Sequence, residues 1–439
     1  MEKIPPELVL EILQHAGAIV SQHVLNALCE RISAVRRPRL LREKDSSESP
    51  SAHQELDDLL RGALKVKVAL VLVCKNWHKL FAPYLYSTTY ATSARAAKAI
   101  QWTLDVNSDL GTYIRQIIAI PANMESWTSD FSDTIDSLVS ICPHIVQFTL
   151  LHRDNSTNEA PLIQRTHHEW NSLLHLTVSS LTWDSYVAYV VAIASSSKLQ
   201  SLHIYGVSTQ SVDLTEARGF LPPHRDLFSV RDLAITNADS HCLDLLRQYR
   251  FSRLRSFTFD GDIDDLTDLS LAALLGPDFF SLEYLSLPYS ALRIHRVILP
   301  SGSYTIRTRL RTIVLTFLYF DDAVGTPKFP RIPLHRVETI RITSTNEPSG
   351  ALLAKSGFHA WVGGLCDKRR MPDLRQIRID IILGKFKKEE VENALPSLRN
   401  TELSLRAKKV ILQVLDDSGT RFETLSAALG AERPRALQE

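Results

Sequence analysis

Residues 198–204 of this chain read KLQSLHI, and residues 281–287 read SLEYLSL. Both stretches contain a short apolar frame, in which hydrophobic residues occupy the first, fourth and sixth positions. The frame recurs at intervals of about 24 to 37 residues and starts at Ile114, Ile145, Leu173, Leu199, Val230, Leu254, Leu282, Leu310, Val337 and Leu374. A period of this length is typical of proteins built from stacked repeats.

Secondary structure follows from the pattern inside and between the frames. The last residues of each frame alternate apolar with mainly polar side chains, which is the period of a strand with one buried face. Helix-like segments lie between the frames, such as FSDTIDSLVSIC at 131–142 and SGFHAWVGGLCDKRR at 356–370. Strand, helix, strand at this spacing requires parallel strands, and stacked units bury a continuous core. We predict an α/β solenoid, with an ordinary α/β sheet domain as the alternative.

Several frames resemble the strand of leucine-rich repeats, among them RLRSFTF at 253–259, RLRTIVL at 309–315 and DLRQIRI at 373–379. The resemblance covers residues from about 110 to 405. It implies parallel strands with outer helices. The Asn or Cys that the family places eight residues after the start of the frame is missing, so we expect an irregular solenoid.

Two apolar stretches near the amino terminus need a partner. The first, IPPELVLEIL at 4–13, opens with a Pro-Pro pair and places Leu8, Ile12 and Leu13 on one helical face. The second, LVLVCKNWHKLFAPYLY at 70–86, also places apolar side chains on one helical face. So short a helix is not stable alone, because helix nucleation is costly. An ordinary helical hairpin that packs on the rest of the chain is one interpretation.

Together the two stretches resemble the F-box, whose pattern is Leu-Pro-x-Glu-hydrophobic-Leu followed by Val-Cys-Lys-x-Trp. Ile4 replaces the usual Leu, and an insertion separates the halves, as in many fungal proteins that resemble this family. The resemblance implies a small all-α module that binds the Skp-type adaptor of a cullin-RING ubiquitin ligase. The adaptor-binding residues that it implies are Ile4, Pro5, Leu8, Val9, Ile12, Leu13, Leu72, Val73, Trp77 and Leu80.

We therefore predict three regions. Residues 1–90 form the F-box-like module, with a flexible insertion from about 17 to 65 that contains a polar run too poor in apolar residues to order itself. Residues 91–417 form the solenoid that resembles leucine-rich repeats. Residues 418–439 are expected to be a poorly ordered tail.

Polar residues alternate with the frame and form the other face of the predicted sheet, where solenoids commonly bind partners. We single out His203, Tyr205, Arg341 and Arg378 as candidate substrate-binding residues. The two arginines, with the basic runs at 368–370 and 385–388, would suit an acidic or phosphorylated segment, because Arg pairs bidentately with such anions. A solvated basic edge is the alternative. The residues predicted to point outward in one row are Thr149, Thr177, His203, Thr258, Ser286, Arg341 and Arg378.

Composition narrows the functional classes. Lys and Arg number 50 against 49 for Asp and Glu, so no overall field attracts nucleic acid or a membrane. The five cysteines are scattered singly, which favours the reducing cytoplasm or nucleus. We find no catalytic, metal-binding or cofactor motif, and no run of about 20 apolar residues that would span a membrane.

The resemblance therefore implies a non-catalytic substrate adaptor of a Skp-cullin-F-box type ubiquitin ligase, without a cofactor. It would bind the Skp-type adaptor through the first module and an unknown protein substrate through the repeats. The alternative is a repeat scaffold without any ligase, whose amino-terminal hairpin caps the first repeats.

Overall fold

The computed structural model describes most of the strands and some of the helices of the chain. The described ranges, apart from a few single positions inside them, are residues 75–120, 129–151, 172–182, 198–208, 227–238, 246–261, 281–288, 309–317, 334–344, 356–366, 371–380 and 388–415, together with scattered residues between 58 and 72. The chain divides into two compact units, Met1–Phe251 and Ser252–Glu439.

The first unit contains six described strands that pair in chain order. Every pair with a described register is parallel. The elements are helix α1 (Lys75–Tyr86), strand β1 (Thr88–Ala91), helix α2 (Ala94–Val106), a 3-10 helix (Ser108–Tyr113), β2 (Gln116–Ala119), helix α3 (Ser129–Ile141), β3 (Gln147–Leu150), β4 (His175–Thr182), β5 (Ser201–Ser208) and β6 (Asp232–Ala238).

The second unit repeats this arrangement with six further strands. These strands also pair in chain order and in parallel. The elements are β7 (Ser256–Gly261), β8 (Tyr284–Pro288), β9 (Thr312–Phe317), β10 (Thr339–Ser344), helix α4 (Ser356–Leu365), β11 (Gln376–Asp380), helix α5 (Lys388–Ala407) and β12 (Ile411–Leu415). Each unit is thus a solenoid-like α/β arrangement, as predicted.

The apolar frame residues form the core of each unit. In β5, Leu202 and Ile204 are buried, and their register partners in β4, Leu176 and Val178, are buried as well. We call this side of the strands the frame face. Because successive side chains of a strand alternate between faces, the residues between them form a second side, which we call the polar face.

Backbone hydrogen bonds link the start of nine of the described strands to the preceding repeat. The carbonyl of Leu174, at the second frame position, accepts from the N–H groups of Gln200 at 2.8 Å and Ser201 at 3.0 Å in the next repeat. The same double acceptance recurs at the carbonyls of Ser87, Arg115, Val146, Gln200, Arg255, Glu283, Arg311 and Glu338. Backbone groups do not depend on side-chain identity, so repeats of very different sequence can stack in this way.

Strands β1 and β12 were not predicted, because each breaks the apolar frame at one position. In β1, Thr89 pairs in register with Ile117 and so occupies an apolar position of the frame. In the last repeat, Leu412 pairs with Ile377, which places Lys409 at the first frame position. Both strands nevertheless pair in parallel with a neighbouring strand.

Gly206 in β5 has a backbone φ of 75°, a left-handed conformation that disfavours any residue with a Cβ atom. We expect Gly206→Ala to lower the free energy of unfolding by about 1–2 kcal/mol. Gly363, inside helix α4, is different, because a methyl group added there would meet no atom within 4 Å. Gly363→Ala should therefore raise the free energy of unfolding by about 0.5–1 kcal/mol, since alanine has the better helix propensity. Urea unfolding of both variants tests this, and effects of equal sign would contradict it.

Candidate functional site

Most of the predicted adaptor-binding residues lie outside the described part of the chain. These residues are Ile4, Pro5, Leu8, Val9, Ile12, Leu13 and Val73. Trp77 and Leu80 lie on helix α1, of which only the backbone is described at these two positions. Leu72 is described, just before α1, and its side chain is 76% exposed. The predicted boundaries of the F-box-like module and of the insertion stay predictions.

Leu72 belongs to an exposed row of apolar side chains. Leu64 and Val68 have helical backbone and are also exposed. The N–H of Leu72 donates to the carbonyl of Val68 at 3.1 Å, which is the i to i−4 bond of an α-helix. Residues four apart share one helical face, so the three side chains form a continuous row, which we call the apolar stripe.

Leu64 and Val68 were not among the predicted adaptor-binding residues. The sequence does contain a signal for them, because the spacing of Leu64, Val68 and Leu72 is that of one helical face. Of the three, Leu72 alone was among the predicted adaptor-binding residues, because the F-box pattern covers residues 70–86, whereas Leu64 falls in the predicted flexible insertion, which extends to about residue 65.

One row of the polar face of the first unit is buried, in contrast to the solvent-facing row that the alternation predicted. Thr149, Thr177 and His203 are almost fully inaccessible. Apolar side chains of the same face, such as Ile118, are buried with them. Parallel strands lie only about 5 Å apart, so neighbouring side chains shield one another. In this unit that row belongs to the interior, whereas other residues of the polar face, such as Gln116, are partly exposed.

His203 and Tyr205, two of the candidate substrate-binding residues, contact each other inside this face. The Nδ1 atom of His203 lies 3.3 Å from the hydroxyl oxygen of Tyr205, and both side chains are buried. Burial, and to a smaller extent the nearby His175, lower the pKa of His203 to about 4. Burial also lowers the pKa of His175. At neutral pH His203 is therefore an uncharged, hydrogen-bonded residue of the interior.

A row of buried polar atoms lies beside this pair. Gln116, Gln147 and His175 are register neighbours on β2, β3 and β4. Within the described part of the chain, the two amide nitrogens and Nδ1 of His175 have no hydrogen-bond partner. Buried polar atoms of this kind usually bind water or another polar group. They are not accessible from the surface, so they do not form a site for a large partner.

The second unit carries a charged cluster on its polar face. Arg341 on β10 and Arg378 on β11 are register partners. The Nε of Arg378 donates to Oδ1 of Asp380 at 2.6 Å, and the Nε of Arg341 donates to Oδ2 of the same carboxylate. The arginine side chains are 39% and 36% exposed, whereas Asp380 is largely buried. We call Arg341 and Arg378 the arginine pair.

The basic runs predicted to extend this cluster, residues 368–370 and 385–387, lie outside the described residues. Polar groups of the described strands surround the pair instead. The hydroxyls of Thr316 and Thr343 are 3.1 Å apart, and the Nε2 of Gln376 donates to Oε1 of Gln413 at 2.6 Å. The accessible polar surface of this unit therefore includes β10 and β11.

Two observations concern the chemistry of the described residues. No group of three or more His, Cys, Asp or Glu side chains among them is placed to hold a metal ion. Burial raises the pKa of the Cys142 thiol to about 12, so the nucleophilic thiolate is not populated at neutral pH. In the part of the chain that the structure describes, every helix is too short or too polar to cross a bilayer.

In comparisons with known proteins, no family model matches the chain and no curated protein matches it. The class that the geometry defines is a solenoid-like α/β protein, and the apolar stripe and the arginine pair are among the accessible features of its described residues.

Proposed function

We propose that this chain is a substrate adaptor of a Skp-cullin-F-box type ubiquitin ligase. Its amino-terminal module binds the Skp-type adaptor, and its repeats bind a protein substrate. The proposal combines the resemblance of residues 4–13 and 70–86 to the two halves of the F-box with one observation, the exposed apolar stripe.

The apolar stripe supports the proposal because it is energetically unfavourable without a partner. Leu64, Val68 and Leu72 expose large aliphatic side chains along one helical face immediately before α1. Transfer of a leucine side chain from water to an apolar surface is worth roughly 1.5–3 kcal/mol. A helix with an exposed apolar face is a common element of helix-in-groove recognition. The stripe thus provides a surface on which an adaptor groove can bind.

In this function the chain acts by positioning. The substrate and the ubiquitin-transferring subunits are held in one complex, which raises their effective concentration. No side chain of this chain needs to react, which agrees with the protonated, buried thiol of Cys142.

We expect Leu72→Glu to lower the recovery of a Skp-type adaptor at least about 10-fold, because burial of an unpaired carboxylate in an apolar interface costs more than about 1.4 kcal/mol. The measurement is copurification of the adaptor with the full chain. Leu8→Glu combined with Trp77→Ala tests the first half of the module and α1 in the same way.

Leu403→Glu is the matched control. Leu403 lies on α5 in the second unit and is also strongly exposed, at 62%, so its replacement changes the same chemistry at another place. We expect it to leave adaptor recovery unchanged. Equal recovery with all of these variants would overturn the proposal. If the intact chain recovers no adaptor, the alternative of a scaffold without a ligase is favoured.

A further inference from the structure

Helix α2 exposes a second apolar face, separate from the apolar stripe. Trp102 and Val106 are each 69% exposed. Arg95 and Ala99 on the same helix are exposed as well. Residues that repeat at intervals of three and four share one helical face. We call the face formed by Arg95, Ala99, Trp102 and Val106 the tryptophan face.

The opposite face of α2 already packs within the chain. Ala97 and Leu104 are buried, and the hydroxyl of Ser93 caps the helix by accepting from the N–H of Ala96 at 3.2 Å. The tryptophan face is therefore not needed to hold α2 in place. Tryptophan is enriched among the residues that contribute most to protein–protein binding, because its large side chain buries much apolar area.

The spacing of the tryptophan face is that of a coiled-coil seam. The steps from Arg95 to Ala99, Trp102 and Val106 are four, three and four residues, as between the seam positions of a heptad repeat. Two copies can pack such seams antiparallel about a two-fold axis near the middle of α2. Trp102 of one copy then faces Ala99 of the other, and Val106 faces Arg95. The large tryptophan ring thus meets a small side chain.

The charges of α2 are self-complementary in this arrangement. Arg95 lies in the first turn and Asp105 in the last turn, the reverse of what the dipole of a single helix favours. Neither residue forms an ion pair with another described residue, whereas Lys98 pairs with Asp130 at 2.8 Å. Antiparallel packing brings Asp105 of one copy to within about one residue rise, ~1.5 Å along the axis, of Arg95 of the other. This contact forms twice, once at each end of the helix pair.

The same residues disfavour two other arrangements. A parallel pair would place Arg95 against Arg95 and Trp102 against Trp102, because equivalent seam positions meet in parallel coiled coils. An anionic membrane surface would repel Asp105, which borders the tryptophan face. The antiparallel pair alone of these three matches both the charges and the sizes of the side chains.

We propose that two copies of this chain associate through the tryptophan faces of their α2 helices, packed antiparallel. The inference does not depend on the proposed function. A contact between two helices of 13 residues is smaller than a standard interface, so we expect a dissociation constant on the order of 10 to 100 µM. Such a dimer would present two sets of repeats together, which raises the apparent affinity for a substrate with two binding segments.

Sedimentation equilibrium of the full chain, at concentrations from about 1 to 300 µM, measures the association. Trp102→Ala should raise the dissociation constant at least about 10-fold, as expected for the central residue of an interface. The matched control is Leu403→Ala, because Leu403 lies on α5 in the second unit and is 62% exposed. We expect the control to associate as the intact chain does. Circular dichroism checks that both variants are folded.

A pair of charge variants tests the antiparallel contact independently. Asp105→Arg should weaken self-association, because it places like charges together at both ends of the helix pair. Arg95→Glu should weaken it for the same reason. An equimolar mixture of these two variants should associate about as tightly as the intact chain, since opposite charges then meet at each end. Misfolded variants would not regain association on mixing.

The proposal is overturned if the intact chain remains a monomer throughout this concentration range. It is also overturned if Trp102→Ala associates as tightly as Leu403→Ala, or if the mixture of Asp105→Arg and Arg95→Glu associates no better than either variant alone. Copurification with the Skp-type adaptor is a separate measurement, and we expect Trp102→Ala to retain it. Failure of the dimer contact is therefore distinguishable from failure of the proposed ligase function.

Discussion

Replacement of Trp361 by alanine is expected to lower the free energy of unfolding by about 3–5 kcal/mol, the usual cost of removing a large buried aromatic side chain. Trp361 lies on helix α4 and is buried. Its ring stacks on Phe358 with 6.1 Å between the ring centroids and 20° between the planes. The substitution would leave a cavity that the surrounding side chains fill only in part, because packed interiors relax little.

The neighbouring helix limits this relaxation. His359 of α4 and Thr401 of α5 are both buried, and Nδ1 of His359 lies 2.9 Å from Oγ1 of Thr401. The Thr401 hydroxyl donates to the carbonyl of Ser397, so the histidine nitrogen and the α5 backbone are linked through it. These contacts hold α4 at a set distance from α5, which prevents α4 from moving into the cavity.

Urea unfolding followed by far-ultraviolet circular dichroism measures the effect, and hydrogen exchange at α4 shows whether the loss is local. Trp102→Ala is the matched control, because Trp102 on α2 is 69% exposed. We expect the control to change the free energy of unfolding by less than about 0.5 kcal/mol. Equal destabilisation by the two substitutions would contradict the packing described for α4.

Acid is expected to destabilise the first unit through His203. The folded-state pKa of His203 is lowered from 6.5 to about 4, mainly by burial. The unfolded chain therefore binds the proton more readily than the folded chain. The stability contributed by neutral His203 is complete above about pH 6.5, decreases as the pH falls toward 4, and is lost below that value. A pKa difference of this size corresponds to about 3 kcal/mol.

The free energy of unfolding measured by urea between pH 7 and pH 4 tests this expectation. Carboxylates titrate in the same range, so the informative quantity is the difference between the intact chain and His203→Asn. We expect a shallower pH dependence for the variant. His144→Asn is the control, because His144 is an exposed histidine of the same unit. An unchanged slope in His203→Asn would refute the role of His203.

The strands that were predicted and the strands that were missed have one physical explanation. The frame positions of β5, such as Leu202 and Ile204, are apolar because they pack into the core, so a repeated apolar pattern identifies the strand. In β1 the equivalent position is Thr89, which is also buried. Threonine fits a strand interior but carries no hydrophobic signal, so the pattern does not reveal it.

The sequence pattern also predicted the candidate site only in part. The alternation placed Arg341 and Arg378 in one row, which the register confirms. It did not reveal that Asp380 accepts from both, because the contact with Arg341 joins two strands at positions 39 residues apart in the chain. It also did not reveal that His203 and Tyr205 are buried, because burial depends on neighbours that are distant in the sequence.

The sequence by itself determined the parallel, repeating α/β architecture, because apolar residues at a regular period can be buried only when successive units stack. Only the tertiary structure decided which part of the polar face is accessible. Polar side chains of one row occupy equivalent positions in the sequence pattern, yet Thr177 is shielded by its neighbours while Arg378 reaches the solvent. Accessibility is a property of packing between repeats, and a local pattern does not contain it.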